Sequence, residues 1–326
     1  MSELRVGVIG LGVMGKNHAR VLRTVAGVRV IGACDPFAGD EDIPIPVFRS
    51  FDELLSHGPD YCVVAVPTSH HFEVGMTLAN AGVSALIEKP VAIDMASANT
   101  LATAFRSAGL VAGVGHVERY NPALREAQRR IALGELGELI QISTVRQGPF
   151  PGRLQDVGVA LDLATHDVDL TSWIAQSGYR AVGAYASRLS DHEHEDLLTV
   201  VGQLRNGVVV NHVINWLSPK KERRTLVTGT RGVFQIDTLS SDLIFYENGS
   251  VPNEWNQVAQ FRGITQGNII QYAFPKREPL LLEHEAFRDA VLGVGSDIVT
   301  LDEGARTLEV ALGALTSARL GETVEV

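Results

Sequence analysis

Apolar residues in the first third of the chain alternate between two spacings. Short apolar runs begin at Leu4, Val28, Tyr61, Val83 and Leu110, and each has the character of a strand. Between these runs, apolar residues recur at helical spacing. Repeated alternation of strand and helix predicts a parallel sheet covered on both faces, with ligands at the carboxyl ends of its strands. We therefore expect an α/β domain of Rossmann type over residues 1–119.

The pattern changes after Tyr120. It predicts helices over 122–133 and 159–174, then a series of strands joined by turns, and finally two helices over 280–292 and 302–318. The strongest turn signal is Asn206-Gly207, because both residues tolerate the positive φ of a tight hairpin. This order predicts an α+β domain over residues 120–326, with an open, largely antiparallel sheet for substrate binding and oligomerisation. Since an open sheet usually needs covering, we expect a homodimer or homotetramer.

The first predicted turn carries glycines at the spacing G-x-G-x-x-G, in the run Gly10-Leu11-Gly12-Val13-Met14-Gly15. The first glycine permits a tight turn, the second lets the backbone approach a pyrophosphate, and the third lets the next helix pack closely. Asp35 ends the second strand, twenty residues past Gly15, where a carboxylate can bind both ribose hydroxyls. Such a carboxylate repels a 2′-phosphate, so the pattern predicts NAD rather than NADP. The alternative is a glycine turn without a ligand.

Charge and composition narrow the choice of partner. The 326 residues include 28 Lys and Arg against 38 Asp and Glu, and the net charge of −10 argues against nucleic acid or an anionic membrane. No apolar run reaches the roughly 20 residues of a membrane span, and no signal-peptide pattern precedes Leu4, so we expect a cytoplasmic protein. Cys34 and Cys62 are expected to be buried thiols. We expect no metal, because the acidic and histidine-containing tract 191–196 has the pattern of a solvated loop.

Two features carry candidate chemistry. Lys89 directly follows a predicted buried strand, where its amine can hydrogen-bond a substrate hydroxyl. Asp162, His166 and Asp169 are spaced i, i+4, i+7, so they form one polar stripe on an otherwise apolar helix. An imidazole one turn from a carboxylate has what a general base requires. The alternatives are a lysine that leaves its strand into solvent and a structural Asp–His pair.

Three motifs, in this order along the chain, resemble those of the glucose-fructose oxidoreductase / inositol dehydrogenase / MocA family. They are the glycine run, Glu88-Lys89-Pro90 and Asp162-x-x-x-His166-x-x-Asp169. The resemblance covers essentially the whole chain. It implies an NAD(P)-dependent oxidoreductase acting on a sugar or cyclitol hydroxyl, with Lys89, Asp162 and His166 as catalytic residues. It also implies a nicotinamide pocket that includes Asn121. The expected cofactor contacts are Gly10, Leu11, Gly12, Val13, Met14, Gly15, Asp35, Pro67, Thr68, His71, Glu88, Lys89 and Asn121.

Four further stretches resemble the branch of this family that contains the UDP-N-acetylglucosamine 3-dehydrogenases. They are residues 115–122, 148–151, 156–159 and 215–221. This resemblance implies oxidation of a ring hydroxyl, at C3, of a nucleotide sugar such as UDP-N-acetylglucosamine or its uronate. A diphosphate needs local cations on an acidic protein, and an aromatic ring can stack on a uracil. The expected substrate contacts are Lys89, Arg146, Arg153, Asp162, His166, Trp216 and Lys220.

Several alternatives stay open at this point. Lys220 and its basic neighbours can be a solvated strand entrance, and Trp216 can belong to the core. The substrate can be a free cyclitol or monosaccharide, which needs no phosphate-binding arginines. A non-catalytic NAD-binding regulator would keep the fold, but it could dispense with Lys89 and His166.

Overall fold

The computed structural model describes residues 3–37, 44–152, 156–191, 193–249, 265–295 and 297–326. The chain divides into two compact units, each made of two segments. The first unit comprises Met1–Val117 and Glu278–Glu309, and the second comprises Glu118–Arg277 and Val310–Val326. The first crossing lies two residues from the boundary expected after residue 119, whereas the later return to the first unit has no counterpart in the sequence pattern.

The first unit is built on a parallel sheet with the strand order β3-β2-β1-β4-β5-β6. The strands are β1 (Leu4–Ile9), β2 (Val28–Cys34), β3 (Val47–Phe48), β4 (Tyr61–Val64), β5 (Ser84–Glu88) and β6 (Ala112–Gly115). The helices between them are α1 (Val13–Leu22), α2 (Phe51–Ser56), α3 (His71–Asn80) and α4 (Met95–Ser107). This confirms the predicted Rossmann-type architecture. The strand order reverses between β1 and β4, and a crevice at their carboxyl ends is where such sheets bind dinucleotides.

A helix from late in the sequence completes the core of this unit. α7 (Pro279–Val291) carries Phe287, which is fully buried, with its ring centroid 5.1 Å from that of Tyr61 on β4. Thr300 then forms an isolated bridge with Gly113 on β6. The periodicity of a helix shows which of its faces is buried but not which sheet it covers. For that reason the sequence pattern assigned 280–292 to the second domain.

The second unit is built on a sheet with the strand order β14-β13-β12-β11-β7-β10-β9-β8-β15. The strands are β7 (Leu139–Pro149), β8 (Tyr179–Ser187), β9 (Leu197–Leu204), β10 (Val209–Asn215), β11 (Leu217–Gly229), β12 (Gly232–Asp237), β13 (Asp242–Gly249), β14 (Thr265–Gln271) and β15 (Val324–Glu325). β7 and β10 pair in parallel and the other named pairs are antiparallel, as the prediction of a largely antiparallel sheet requires. The predicted hairpin joins β9 to β10, and Gly207 adopts a φ of 92° in its turn.

One face of this second sheet packs on helices, and no described helix covers the exposed part of the other face. α5 (Pro122–Ala132), α6 (Thr165–Ala175) and the end of α8 (Leu301–Leu320) contribute to the core on the covered face, together with strand residues such as Ile142 and Val210. On the opposite face Ile140, Val201 and Val209 are 52%, 54% and 42% exposed. Strand side chains alternate between the two faces, so the open face presents these apolar side chains to solvent beside polar ones such as Gln141 and Asn211. Among the described helices, none has the length and apolar content to cross a membrane.

Candidate active site

The glycine turn between β1 and α1 is tight on one side and open on the other. Gly10 adopts a φ of +90°, and a Cβ there would lie 2.6 Å from the carbonyl oxygen of Ala65. A Cβ on Gly15 would lie 1.8 Å from the carbonyl oxygen of Gly10. Gly12, in contrast, has no described atom within 4 Å of the place its Cβ would take. The turn therefore leaves open space at Gly12, next to the N-terminus of α1, of the kind that a pyrophosphate fills.

Asp35 lies directly beside this turn. One of its carboxylate oxygens accepts a hydrogen bond of 2.7 Å from the backbone N–H of Leu11, and the other accepts one of 2.8 Å from Phe37. Each oxygen keeps a second lone pair, and the side chain is half-buried. In the same turn Val13 is 54% exposed. These residues fit the predicted contacts with a dinucleotide, in which the carboxylate binds the ribose and the turn binds the phosphates.

The segments after β4 and β5 meet through His71. Pro67 and Thr68 begin the short 3₁₀ turn Thr68–His70, and His71 opens α3. The buried His71 ring places Nδ1 2.8 Å from the carbonyl oxygen of Pro90 and Nε2 3.1 Å from that of Val66. His71 therefore links the turn after β4 to the residue that follows Lys89. Sequence reasoning proposed it only as a cofactor contact.

Glu88 and Lys89 close β5 at the same edge of the sheet. Glu88 is 7% exposed, and one of its oxygens accepts a hydrogen bond of 3.1 Å from the backbone N–H of Lys89. Its other oxygen lies 2.8 Å from Nε2 of His18, a fully buried residue of α1. Although burial raises the pKa of Glu88, the hydrogen bond from His18 and the charges of His18 and Lys89 lower it overall. Sequence reasoning missed His18, since nothing local marks its partner 70 residues away.

The second unit carries Asp162 and His166 on a helix that starts irregularly. Residues Ala160–Ala164 form a π-helical turn, and α6 follows from Thr165. The regular helix predicted over 159–174 therefore begins with a π turn, which apolar spacing does not predict. Asp162 and His166 are half-buried, whereas Asp169 is 1% exposed and makes two hydrogen bonds, of 2.7 and 2.6 Å, with Arg119. Of the three polar residues, Asp162 and His166 are therefore accessible, whereas Asp169 belongs to an internal ion pair with Arg119.

Arg146, predicted to bind substrate, is instead enclosed by carboxylates. It is 3% exposed, its Nε lies 3.1 Å from both oxygens of Asp167, and its Nη1 lies 2.9 Å from Glu118. Although burial lowers the pKa of Arg146, Asp167 and Glu118 raise it overall. Two carboxylates already match its charge, which leaves little attraction for a phosphate. The sequence does not show these ion pairs, because Arg146 lies 28 residues from Glu118 and 21 residues from Asp167 along the chain.

Arg223 on β11 is a second cation near these groups, and it is less enclosed than Arg146. It is half-buried, and Nη1 donates hydrogen bonds of 3.1 Å to the backbone oxygens of Gln147 and Glu222. Burial and then the charge of Arg146 lower its pKa to about 10, against the opposing effects of Asp167, Glu118 and Asp162. The influence of Asp162 places this guanidinium in the same electrostatic neighbourhood as a predicted catalytic carboxylate.

The other predicted residues of the second unit have mixed surroundings. Trp216 is 5% exposed and its ring meets Phe150 edge-on at 5.2 Å, so it packs in the core and not as an open stacking surface. Asn121 caps α5, and its amide donates a 3.0 Å hydrogen bond to the carbonyl oxygen of Thr238. Lys220 is exposed on β11. Arg153 lies outside the described residues. Within the described ranges no group of His, Cys, Asp and Glu is arranged to hold a metal ion.

Comparison with known families matches both units. Residues 4–116 match the family described as "Oxidoreductase family, NAD-binding Rossmann fold". Residues 124–235 match the "GFO/IDH/MocA C-terminal domain". The first match confirms the predicted NAD-binding fold and oxidoreductase class.

Individual relatives extend the match over the whole chain. The UDP-N-acetylglucosamine 3-dehydrogenase of Acidithiobacillus ferrooxidans is 29% identical over 96% of both chains. Its structure superposes with a TM-score of 0.83 at 27% identity, covering 98% of this chain and 99% of the other. The scyllo-inositol 2-dehydrogenase (NAD(+)) of Bacillus subtilis is 25% identical over 99% of this chain and 96% of its own. The WlbA dehydrogenase of Bordetella pertussis shares the fold. Its structure superposes with a TM-score of 0.83 at 20% identity, covering 100% of this chain and 98% of the other.

Proposed function

Because the chain belongs to the GFO/IDH/MocA family of NAD-binding oxidoreductases, we propose that it oxidises a ring hydroxyl, at C3, of a nucleotide sugar such as UDP-N-acetylglucosamine or its uronate. The observation that carries this proposal is the 29% identity, over 96% of both chains, with a UDP-N-acetylglucosamine 3-dehydrogenase. The reaction class agrees with the cofactor site proposed in the first unit, where an open glycine turn lies beside the Asp35 carboxylate that we propose binds the ribose. A bound NAD⁺ supplies the hydride acceptor, C4 of its nicotinamide.

The catalytic residues proposed for this chain are Lys89, Asp162 and His166, on the basis of the family motifs. Oxidation of a carbinol requires a base that takes the hydroxyl proton as the hydride leaves. Lys89 and His166 share that proton and stabilise the developing alkoxide, and Asp162 tunes or orients them. Lys89 directly follows the buried Glu88 at the end of β5, and Asp162 and His166 are half-buried at the start of α6. All three side chains thus have partial access to solvent.

We assign recognition of the substrate's anionic group to Arg223, supported by Lys220 on the same strand. Arg146 is the weaker candidate, because Asp167 and Glu118 already match its charge. The Arg223 guanidinium is partly desolvated and donates to backbone carbonyls, so a carboxylate or phosphate would add charge-assisted hydrogen bonds. For Arg223→Met we expect a KM for the nucleotide sugar raised by about tenfold or more, with kcat changed less. Arg224→Met, on the same strand and exposed, is the matched control.

The decisive experiment measures NADH formation with four candidate substrates. Protein stripped of nucleotide is offered NAD with UDP-N-acetylglucosamine, UDP-N-acetylglucosaminuronate, myo-inositol or glucose. We expect turnover with a nucleotide sugar, and its loss in Lys89→Met and in His166→Asn while NAD still binds. Full activity in both variants would remove these residues from the mechanism.

The second candidate is oxidation of a free cyclitol. It is favoured by the 25% identity, over 99% of this chain, with a scyllo-inositol 2-dehydrogenase. This candidate predicts turnover of myo-inositol with a KM that does not change in Arg223→Met. The same substrate panel therefore separates the two.

We also propose that the protein is a cytoplasmic homodimer or homotetramer that uses the open face of the second sheet as its contact. The apolar residues Ile140, Val201 and Val209 on that face would gain from burial in a second copy. Introducing a charge there, as in Val201→Lys, is expected to lower the mass measured by light scattering to that of one chain.

A further inference from the structure

Four ionisable side chains lie buried together within the first unit, around the last residue of β5. They are His18 on α1, Glu88 on β5, and Glu283 and His284 on α7, with exposures of 0%, 7%, 1% and 0%. Burying this many titratable groups is costly unless they are paired. The proposed proton transfer uses none of the four, so another role must account for them.

Three of these side chains form a hydrogen-bonded chain that ends at Glu88. The Glu88 oxygen lies 2.8 Å from Nε2 of His18, and Nδ1 of His18 lies 2.9 Å from Nε2 of His284. Since a carboxylate only accepts, the His18 nitrogen that faces Glu88 carries a proton. One further proton lies between the two imidazoles, so His284 fixes the orientation of the His18 ring. His18 thus donates a charge-assisted hydrogen bond to one Glu88 oxygen, and the backbone N–H of Lys89 donates a hydrogen bond to the other.

Glu283 stands apart from this chain. Neither of its oxygens has a hydrogen-bond partner among the described residues. Burial, and after it the nearby charge of Glu88, raises the pKa of Glu283 well above its usual value. Burial, and after it His18, lowers the pKa of His284 well below its usual value. Because both Glu88 oxygens face a hydrogen-bond donor and neither Glu283 oxygen does in the described part of the chain, the surroundings favour the ionised form of Glu88 and the neutral form of Glu283.

The ionised carboxylate lies where the nicotinamide half of the cofactor is expected. Asp35 at the end of β2 takes the adenosine ribose and the glycine turn after β1 takes the phosphates, so the dinucleotide runs toward β4 and β5. The nicotinamide ring of NAD⁺ carries a positive charge, and that of NADH carries none. A fixed negative charge at this end of the site attracts the oxidised ring only.

We propose that His18, oriented by His284, keeps Glu88 ionised beside the nicotinamide, and that this buried carboxylate makes the site bind NAD⁺ more tightly, relative to NADH, than it otherwise would. His18 is a positioning residue in this scheme, since it acts through Glu88. The inference rests on the proposed direction of the cofactor along the sheet and not on the identity of the sugar. A dehydrogenase gains from such a bias, because it loads the oxidant and releases the reduced product.

The test compares dissociation constants for NAD⁺ and NADH in nucleotide-stripped wild type, Glu88→Gln, His18→Gln and Glu283→Gln. The readout is the ratio Kd(NADH)/Kd(NAD⁺), measured by calorimetry and by NADH fluorescence without any sugar. We expect Glu88→Gln to lower the ratio by about tenfold or more at pH 7, as loss of a nearby charge predicts. Glu283→Gln, which exchanges one neutral group for another, should keep the ratio within about twofold of wild type.

The pH dependence separates a charge-holding role for His18 from a purely structural one. Glu88 is faced by His18 from α1, by the adjoining Lys89, and by Glu283 from α7, and His284 faces His18. Without His18, the pKa of Glu88 rises, so in His18→Gln the ratio should fall progressively as the pH is lowered from 7.5 to 5.5. The wild-type ratio should stay level over that range. Equal weakening of both cofactor forms in Glu88→Gln and His18→Gln would overturn the proposal. If His18→Gln does not fold, Glu88→Gln tests the proposal alone. A lowered ratio then supports the proposal, and an unchanged ratio overturns it.

Discussion

Changing Asp35 to Asn tests the basis of the cofactor preference. The carboxylate lies beside the glycine turn, 2.7 Å from the backbone nitrogen of Leu11, so a ribose bound there lies within its reach. A 2′-phosphate in the same place would bring like charges to about 4 Å of each other. At that distance two unit charges repel by about 1 kcal/mol in water and about 4 kcal/mol near a protein surface.

The size of the expected effect follows from the exposure of the side chain. Asp35 is half-buried, so its repulsion of the phosphate falls between those limits, at about 2 to 3 kcal/mol. Wild type should therefore bind NADPH about 30- to 150-fold more weakly than NADH. Asp35→Asn should reduce this discrimination to within about threefold. The substitution also disturbs the hydrogen bonds to Leu11 and Phe37, but that loss weakens both cofactors and cancels in their ratio.

The assay is fluorescence titration of stripped protein with NADH and NADPH at two salt concentrations. Because mobile ions screen a half-exposed charge, the wild-type ratio should shrink at 1 M salt, and the variant ratio should not. Equal affinity of wild type for the two cofactors would refute the reasoning. So would a variant that discriminates as strongly as wild type.

Two further predictions concern stability. Asp169→Asn should lower the free energy of unfolding in urea by about 3 to 5 kcal/mol, because it leaves the buried Arg119 guanidinium without its carboxylate. Asp302→Asn breaks an exposed pair with Arg106 and should cost at most about 1 kcal/mol; equal losses in the two variants would contradict this account. His212 is held between Thr144 and Tyr179, and burial, followed by Arg146, lowers its pKa to about 3. Its contribution to stability is present above the unfolded-state pKa of about 6.5 and is lost as the pH falls toward 3. Between pH 7 and pH 4 the thermal midpoint of wild type should therefore fall further than that of His212→Gln, and parallel curves would count against the argument.

The parts of this molecule that sequence alone predicts are those governed by local rules. The glycine turn, five of the six strands of the first sheet and the Asn206-Gly207 hairpin each depend on residues within a few positions of one another, whereas the two-residue strand β3 is not predicted. The π turn at residues 160–164 follows no comparable local signal, since the spacing there predicts a regular helix. Periodicity describes a regular helix and gives no warning of such an irregularity.

The contacts that sequence does not predict join distant parts of the chain. His18 meets His284 across 266 residues, and Arg146 meets Glu118 across 28. Pairings of this kind enclose a predicted substrate-binding arginine between two carboxylates and give a helix histidine two buried partners. Charge type and spacing show that ionisable groups are present, but only the fold determines which of them are neutralised.

The return of residues 278–309 to the first unit has a consequence for how the protein is made. A ribosome completes the six-strand sheet early, yet the helix that brings Phe287 against Tyr61 is synthesised only after every strand of the second sheet except β15. Until then the apolar surface around Tyr61 lacks its cover, and a fragment ending near residue 117 would keep that surface exposed. Expression of the nucleotide-binding half by itself should therefore yield aggregated material, and fusing residues 278–309 to its end should restore solubility.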